Sequence, residues 1–220
     1  MTVFISRNLR PDSVFYKTLH TRGIRVHGER LVEFTGVPFD EIPGADWLFF
    51  YSKTGVHYFF QHATTLRVEN YRLAAIGKGT SEYLARICRP ADFAGDGDPV
   101  STATAFLQLA KGQKVLFIRA EDSRQSIRRL LGQHISPLDL VVYKNQPRTS
   151  FNLPHSDCLV FTSPLNAQAY FSKYPFRKNQ KVVAIGRTTA VALEALGVKN
   201  PVIAGAPSEE ALAKAVLNRQ

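Results

Sequence analysis

Two similar turns in this chain combine small residues with a single cation. Ala75 to Leu84 reads AIGKGTSEYL, and Ala184 to Leu193 reads AIGRTTAVAL. Gly77, Lys78, Gly79 and Thr80 make the first turn; Gly186, Arg187, Thr188 and Thr189 make the second. Further hydroxyls and cations close other apolar runs: Ser52, Lys53 and Thr54 after WLFFY, Arg119 after VLFI, and Ser163 and Asn166 after CLVFT. Such residues suit the binding of anions. Hydroxyls cap helix starts, free backbone N–H groups there attract negative charge, and a nearby Lys or Arg adds a formal charge. The same threonines would also sit there as plain N-caps, so capping and ligand contact are both open at each position.

No pattern of a chemically reactive centre accompanies them. The six histidines (His20, His27, His57, His62, His134 and His155) show no metal spacing, and no Cys or acid completes a tetrahedral set. There is no GxSxG elbow, no Walker loop, and no GxGxxG after a strand. The glycines of GDGDP (Gly95 to Pro99) are flanked by acids that would repel phosphate, so this stretch reads as a turn. No carboxylate pair stands at the strand ends. A catalyst with this inventory acts mainly by holding a reactive substrate in one shape.

The elements that position these residues repeat. DWLFFYSKTGVHYFF (Asp46 to Phe60) aligns with DCLVFTSPLNAQAYF (Asp157 to Phe171), and Thr2 to Leu19 aligns with Lys114 to Leu131. The offsets are nearly constant, at about half the chain, which reads as a tandem duplication. Each half reads strand, helix, strand, helix, strand, helix. The strands VFIS, WLFFY, RLAAIG, VLFIR, CLVFT, VVAIG and PVIAG are continuously apolar rather than alternating. That is the mark of parallel sheets covered on both faces by helices. The expected class is α/β with two doubly wound parallel sheets, whose ligands bind outside the carboxyl ends of the strands. Arg25 to Phe39 and Leu138 to Phe151 fit neither half and read as extended linkers able to pair with each other.

The formal net charge is +10, with no basic tail; small clusters lie at SRQSIRRLL and YFSKYPFRKNQK. A basic balance suits an anionic partner. Nucleic acid is disfavoured, because the aromatics fall in strand and helix cores rather than along a basic stripe. No apolar run is long enough to span a bilayer. The start MTVFISRNLRPDS meets Arg7, Arg10 and Asp12 too soon for a leader peptide and reads as a first strand. Cys88 and Cys158 lie far apart and read as reduced packing thiols, which points to the cytoplasm.

The doubled strand–Ser turn, FFYSKTGV and VFTSPLNAQAYF, together with AIGKGTSEYL and AIGRTTAVALEALG, resembles the uroporphyrinogen-III synthase family. The likeness extends from MTVFISR to PVIAGAPSEEAL. It implies that the domains are not the tandem halves. One domain would be residues 1–28 with 145–220, the other 36–141. Residues 29–35 and 142–144 would be linker strands, and a ligand cleft would lie between the domains. The implied substrate is hydroxymethylbilane, a linear tetrapyrrole polycarboxylate. The implied reaction removes its hydroxyl as water and closes the macrocycle with ring D inverted, without metal or cofactor. Tyr143, in VVYKNQP, falls where the family has a tyrosine near the leaving hydroxyl; it reads equally as a linker-strand aromatic. The family's cleft positions fall on Ser52, Thr80, Ser163, Thr188 and Thr189. The first turn departs from the family by having Tyr51 and SKTG, so that Lys53 stands where a carboxylate contact is expected. A monomer with at most a transient contact with porphobilinogen deaminase completes the expectation. The rival from another class is a non-catalytic two-lobed binding protein for a small polyanion.

Overall fold

A computed structural model describes residues 1–62 and 68–218. In chain order its strands are β1 (Thr2–Ile5), β2 (Arg25–Gly28), β3 (Val32–Gly36), β4 (Trp47–Phe50), β5 (Arg72–Ala75), β6 (Phe93–Ala94), β7 (Lys114–Ala120), β8 (Ser136–Pro147), β9 (Cys158–Phe161), β10 (Lys181–Ala184) and β11 (Val202–Ile203). The helices are α1 (Val14–His20), α2 (Lys53–His62), α3 (Lys78–Ile87), α4 (Pro99–Ala110), α5 (Ser126–Leu131), α6 (Pro164–Phe171), α7 (Arg187–Ala195) and α8 (Glu209–Leu217). The chain forms two compact units: Met1–Glu33 with Gln146–Gln220, and Phe34–Asn145.

The first unit holds a five-stranded sheet in the order β11-β10-β9-β1-β2; the second holds six strands in the order β3-β8-β7-β4-β5-β6. Read from the other edge, the first is β2-β1-β9-β10-β11, and the second repeats it as β8-β7-β4-β5-β6 with β3 added. The pairings run parallel throughout the first sheet and from β8 to β6 in the second. The repeat in the sequence is therefore a repeat in space, but each copy is not a continuous half of the chain. The first unit takes β1 and β2 from one end and its remaining strands from the other.

The extended stretches do more than link. Residues 25–28 form the edge strand β2, paired along β1. β8 pairs with β7 over seven residue pairs. The chain crosses between units within β3 and within β8, which are sheet neighbours.

Both-faced burial explains the continuous apolar strands. Val3 and Ile5 pack with Phe15 of α1 and Leu212 of α8, while Phe4 between them packs with Ala167 of α6 and Leu193 of α7. In the second unit Trp47 and Phe49 face Phe106 of α4, while Leu48 and Phe50 face Val56 and Phe59 of α2. A fully buried side chain of this size is worth about 1.5–3 kcal/mol.

The aspartates that open the repeated segments set the register. The Asp157 carboxylate accepts the Thr2 N–H at 2.7 Å, and the Asp46 carboxylate accepts the Lys114 N–H at 2.8 Å. Each aspartate's carbonyl then accepts the N–H that starts the next strand, Lys181 or Arg72, at 3.0 Å. A one-residue slip would break these bonds and send each side chain to the opposite helix layer, where it does not fit.

Candidate active site at the strand ends

In the second unit β4 ends at Phe50, and Ser52 caps α2, its Oγ accepting the Gly55 N–H at 3.0 Å. The same Oγ lies 3.2 Å from the hydroxyl of Tyr143, which arrives from β8. Tyr143 is 9% exposed. Its ring stacks on Tyr58 at 5.7 Å and meets Phe34 edge-on at 5.9 Å. Tyr58 is itself anchored, its hydroxyl donating to the Phe34 carbonyl at 2.9 Å. The phenol is thus held by packing, with its polar end at the mouth of the α2 turn. Thr54, in the first turn of α2, is half-buried.

Each unit carries a glycine turn of its own. Gly77 precedes α3 and Gly186 precedes α7, both in extended backbone (φ −166° and −174°), and neither helix start has a side-chain cap. Ser13, Asp98, Ser163 and Ser208 each accept N–H bonds from their own helices, while the short α5, which follows Gln125, also starts without a side-chain cap. Thr80 and Ser81 return their N–H groups to the Gly77 carbonyl, as Thr189 and Ala190 do to Gly186. The amides ahead of them, at Lys78 and Gly79 and at Arg187 and Thr188, are left facing outward with the positive end of the helix dipole. At Gly77 the missing cap has a steric cause, because a Cβ there would lie 3.1 Å from the backbone of Gly97.

Cations stand at these starts. A Cβ on Gly79 would lie 3.1 Å from Cε of Lys53, so the bare glycine lets Lys53 lie across the first turn of α3. Lys53 and Arg187 are exposed, and among the described residues neither has a hydrogen-bond or ion-pair partner. Lys78 reaches Glu82 at 3.9 Å with both side chains largely in solvent, an attachment too weak to hold it. Thr188 is exposed, whereas Thr80 and Thr189 are 8% and 3% exposed and turn into the fold.

Three of the expected ligand contacts are committed internally. Ser163 caps α6 and accepts from Asn166 Nδ2 at 2.8 Å. Asn166 Oδ1 accepts the Leu31 N–H at 2.9 Å, which ties α6 to the segment before β3. Arg119 turns inward. Its Nε donates to Asp139 at 2.9 Å and its Nη1 to the carbonyls of Ala120 and Glu121 at 2.9 and 3.0 Å.

The sequence reading misses other strand-end residues. Ser6 and Thr162, at the ends of β1 and β9, cross-bond: Thr162 donates its N–H to Ser6 Oγ at 2.9 Å and its hydroxyl to the Ser6 carbonyl at 3.0 Å. Beyond β1 a cavity of about 430 Å³ is lined by Arg7 and Arg10 with Asp12 and Glu209. Arg7, just past β1, aligns with Arg119 of β7, a signal present in the repeat alignment. The hydroxyl of Tyr51 accepts the Arg128 N–H at 3.0 Å, and burial pushes its pKa up to about 12. Among the described residues no group of His, Cys, Asp and Glu could hold a metal ion, and no helix is long and apolar enough to cross a membrane.

Paired parallel sheets with uncapped, cation-flanked helix starts at their carboxyl ends make this a duplicated α/β protein of the ligand-binding kind. The model of the family described as uroporphyrinogen-III synthase HemD matches residues 30–214. A uroporphyrinogen-III synthase from Chlorobaculum parvum is 26% identical over 234 residues, covering 92% of each chain. Among solved structures, the synthetase from Helicobacter pylori 26695 superposes with a TM-score of 0.74 at 22% identity, over 98% of both chains. A mutant synthase from the extremely thermophilic bacterium Thermus thermophilus does so at 0.55 and 19%, over 98% of this chain and 96% of that one. The chain belongs to the uroporphyrinogen-III synthase family. Its activity is that of a lyase in tetrapyrrole biosynthesis, and the non-catalytic binding protein is not favoured.

Proposed function

We propose that this chain takes hydroxymethylbilane as its substrate and closes it to uroporphyrinogen III. The carboxylates would be held by the amides and cations at the two glycine turns: Lys53, Lys78 and Gly79 in one unit, and Gly186, Arg187 and Thr188 in the other, with the inward-turned Thr80 and Thr189 supporting the turns from behind. The observation that carries this reading is the repetition of one feature. The two helices that start at an Ile-Gly turn are without a side-chain cap, and they occupy equivalent places in equivalent sheets. A substrate with carboxylates along its length needs such sites more than once.

The chemistry asks little of the protein beyond shape. Loss of water leaves a cation that the electron-rich pyrroles stabilise themselves. The electron-rich substituted carbon of ring D then attacks that cationic carbon, the resulting spiro intermediate opens by breaking the older bond to ring D, and recombination at the other end of the ring inverts it. Unaided closure gives the uninverted isomer, so the enzyme's work is to fold the chain. The Tyr143 hydroxyl, held at Ser52, would donate a hydrogen bond to the departing hydroxyl. Thr54 would line the same turn; Ser52, Ser163, Asn166 and Arg119 would support the site more than touch substrate. In this reading residues 1–28 with 145–220 and residues 36–141 act as separate domains, with 29–35 and 142–144 as linkers. The protein works as a cytoplasmic monomer that receives its unstable substrate from porphobilinogen deaminase through a transient contact.

The test is a coupled assay. Porphobilinogen and the deaminase are supplied, the products are oxidised, and the uroporphyrin isomers are separated by chromatography. Mostly isomer III is expected. Isomer I at the level without added protein, from a chain shown to be folded, would overturn the reading.

A further inference from the structure

β8 does not follow β7 in even register. The pairs run from Lys114 with Ser136 to Arg119 with Val141, and then jump to Ala120 with Tyr143. Val142 is the extra residue of a bulge. Leu138, Leu140 and Val142 share one face of the strand, against the cluster that includes α2. A period of two would send Tyr143 to the opposite face, with Asp139. It lies instead in the same cluster as Val142. The bulge has re-aimed it, and from this face its hydroxyl reaches Ser52.

Arg119 is the last residue before the jump, and its guanidinium spans it. Nε holds Asp139, on β8 before the slip; Nη1 holds the carbonyls of Ala120, at the slip, and Glu121, just past the end of β7. Glu121 in turn donates its N–H to the Tyr143 carbonyl at 2.9 Å. Asp139 has a second cation, with Arg128 Nε 3.1 Å from its other oxygen. The side chains of Arg119 and Asp139 are 14% and 23% exposed, so the pair is shielded more than a surface pair is. A planar fork can serve an acid and two carbonyls at once; an ammonium cannot do so in this geometry.

We propose that Arg119, braced by Asp139, is a positioning residue that fixes the slip between β7 and β8 and so holds the Tyr143 hydroxyl against Ser52. Its consequence for turnover rests on the chemical role given to Tyr143 above. The experiment separates the two. The protein is labelled with 3-fluorotyrosine, and the Tyr143 resonance is assigned by its loss in Tyr143→Phe. Arg119→Leu and the near-isosteric Asp139→Asn are expected to shift that resonance and leave Tyr174, in the other unit, in place; Arg119→Lys is expected to restore it only in part. In the coupled assay Arg119→Leu alone is expected to lower kcat about tenfold, yet less than twofold on the Tyr143→Phe background. An unmoved Tyr143 resonance in folded Asp139→Asn and Arg119→Leu would overturn the proposal, as would losses that multiply in the double variant. A shifted resonance with full kcat in Tyr143→Phe would leave Arg119 as the positioner and remove the chemical role of Tyr143.

Discussion

The hydroxyls of Tyr143 and Ser52 lie 3.2 Å apart across 91 residues of sequence. Ser52 already caps α2, so its position is fixed by a helix, and Tyr143 is fixed by two aromatic rings. Tyr143→Phe keeps the packing and removes only the polar end. Its kcat for isomer III is expected to fall by about tenfold, the size of one neutral hydrogen bond, with KM little changed. Complete loss in a folded variant would contradict catalysis by positioning.

The open start of α7 sets stability against function. Gly186 has nothing within 4 Å of a built Cβ, and its extended backbone accepts any residue. Gly186→Asp would cap the helix with a carboxylate and gain about 0.5 kcal/mol. The same carboxylate would occupy the amides and repel an anionic substrate. A higher melting temperature together with a several-fold higher KM is expected. A raised melting temperature with unchanged KM would show that substrate does not use this turn.

Arg187→Ala and Lys53→Ala remove exposed charges that nothing in the described structure holds. Each is expected to raise KM several-fold with little change in kcat, and the difference from the parent should shrink as salt is added. Steady-state kinetics at two ionic strengths checks this.

Glu209 ties α8 to the first helix, accepting from the Ser13 hydroxyl at 2.8 Å and the Phe15 N–H at 3.1 Å. Burial pushes its pKa up, but those two bonds and Arg7 outweigh it, and the net shift is downward from 4.5. A carboxyl with a lowered folded value stabilises above its unfolded value and loses that contribution as pH falls. Glu209→Gln is therefore expected to cost about 1 kcal/mol at neutral pH, and the cost should fade below about pH 4.5. Denaturant titrations at pH 7 and pH 3 would show it; an equal cost at both would contradict the electrostatic account.

Burial raises both thiols, Cys158 to about 12. Cys158 is fully enclosed, while Cys88 is partly exposed. A disulfide reagent is expected to titrate one thiol slowly in the native protein, and none at Cys158 until denaturant is added.

The parallel sheets were legible because both faces of each strand are buried, so WLFFY and CLVFT could not alternate. The repeat was legible because Asp46 and Asp157 perform one local task at the start of each copy. The inward role of Arg119 was not. It depends on Asp139, set in the apolar run LDLVV, and on a register slip that exists only once β7 and β8 pair. Asn166 reads as a ligand contact in the sequence; its bond to Leu31 was not legible, because nothing in the sequence brings those two positions together. Residue types predicted polarity at the strand ends; the neighbours decided which side chains stayed available.

The interior place of β1 in its sheet governs how the chain can be made. One edge of β1 pairs with β2, which follows closely, but the other pairs with β9, and the bond from Thr2 to Asp157 closes over 155 residues. During vectorial synthesis β1 leaves the ribosome with half its hydrogen bonds and one apolar face unanswered. The second unit, whose strands are contiguous, can condense while the first waits. The nascent N-terminal segment is thus the part of this protein that most needs a chaperone's cover until β9 emerges.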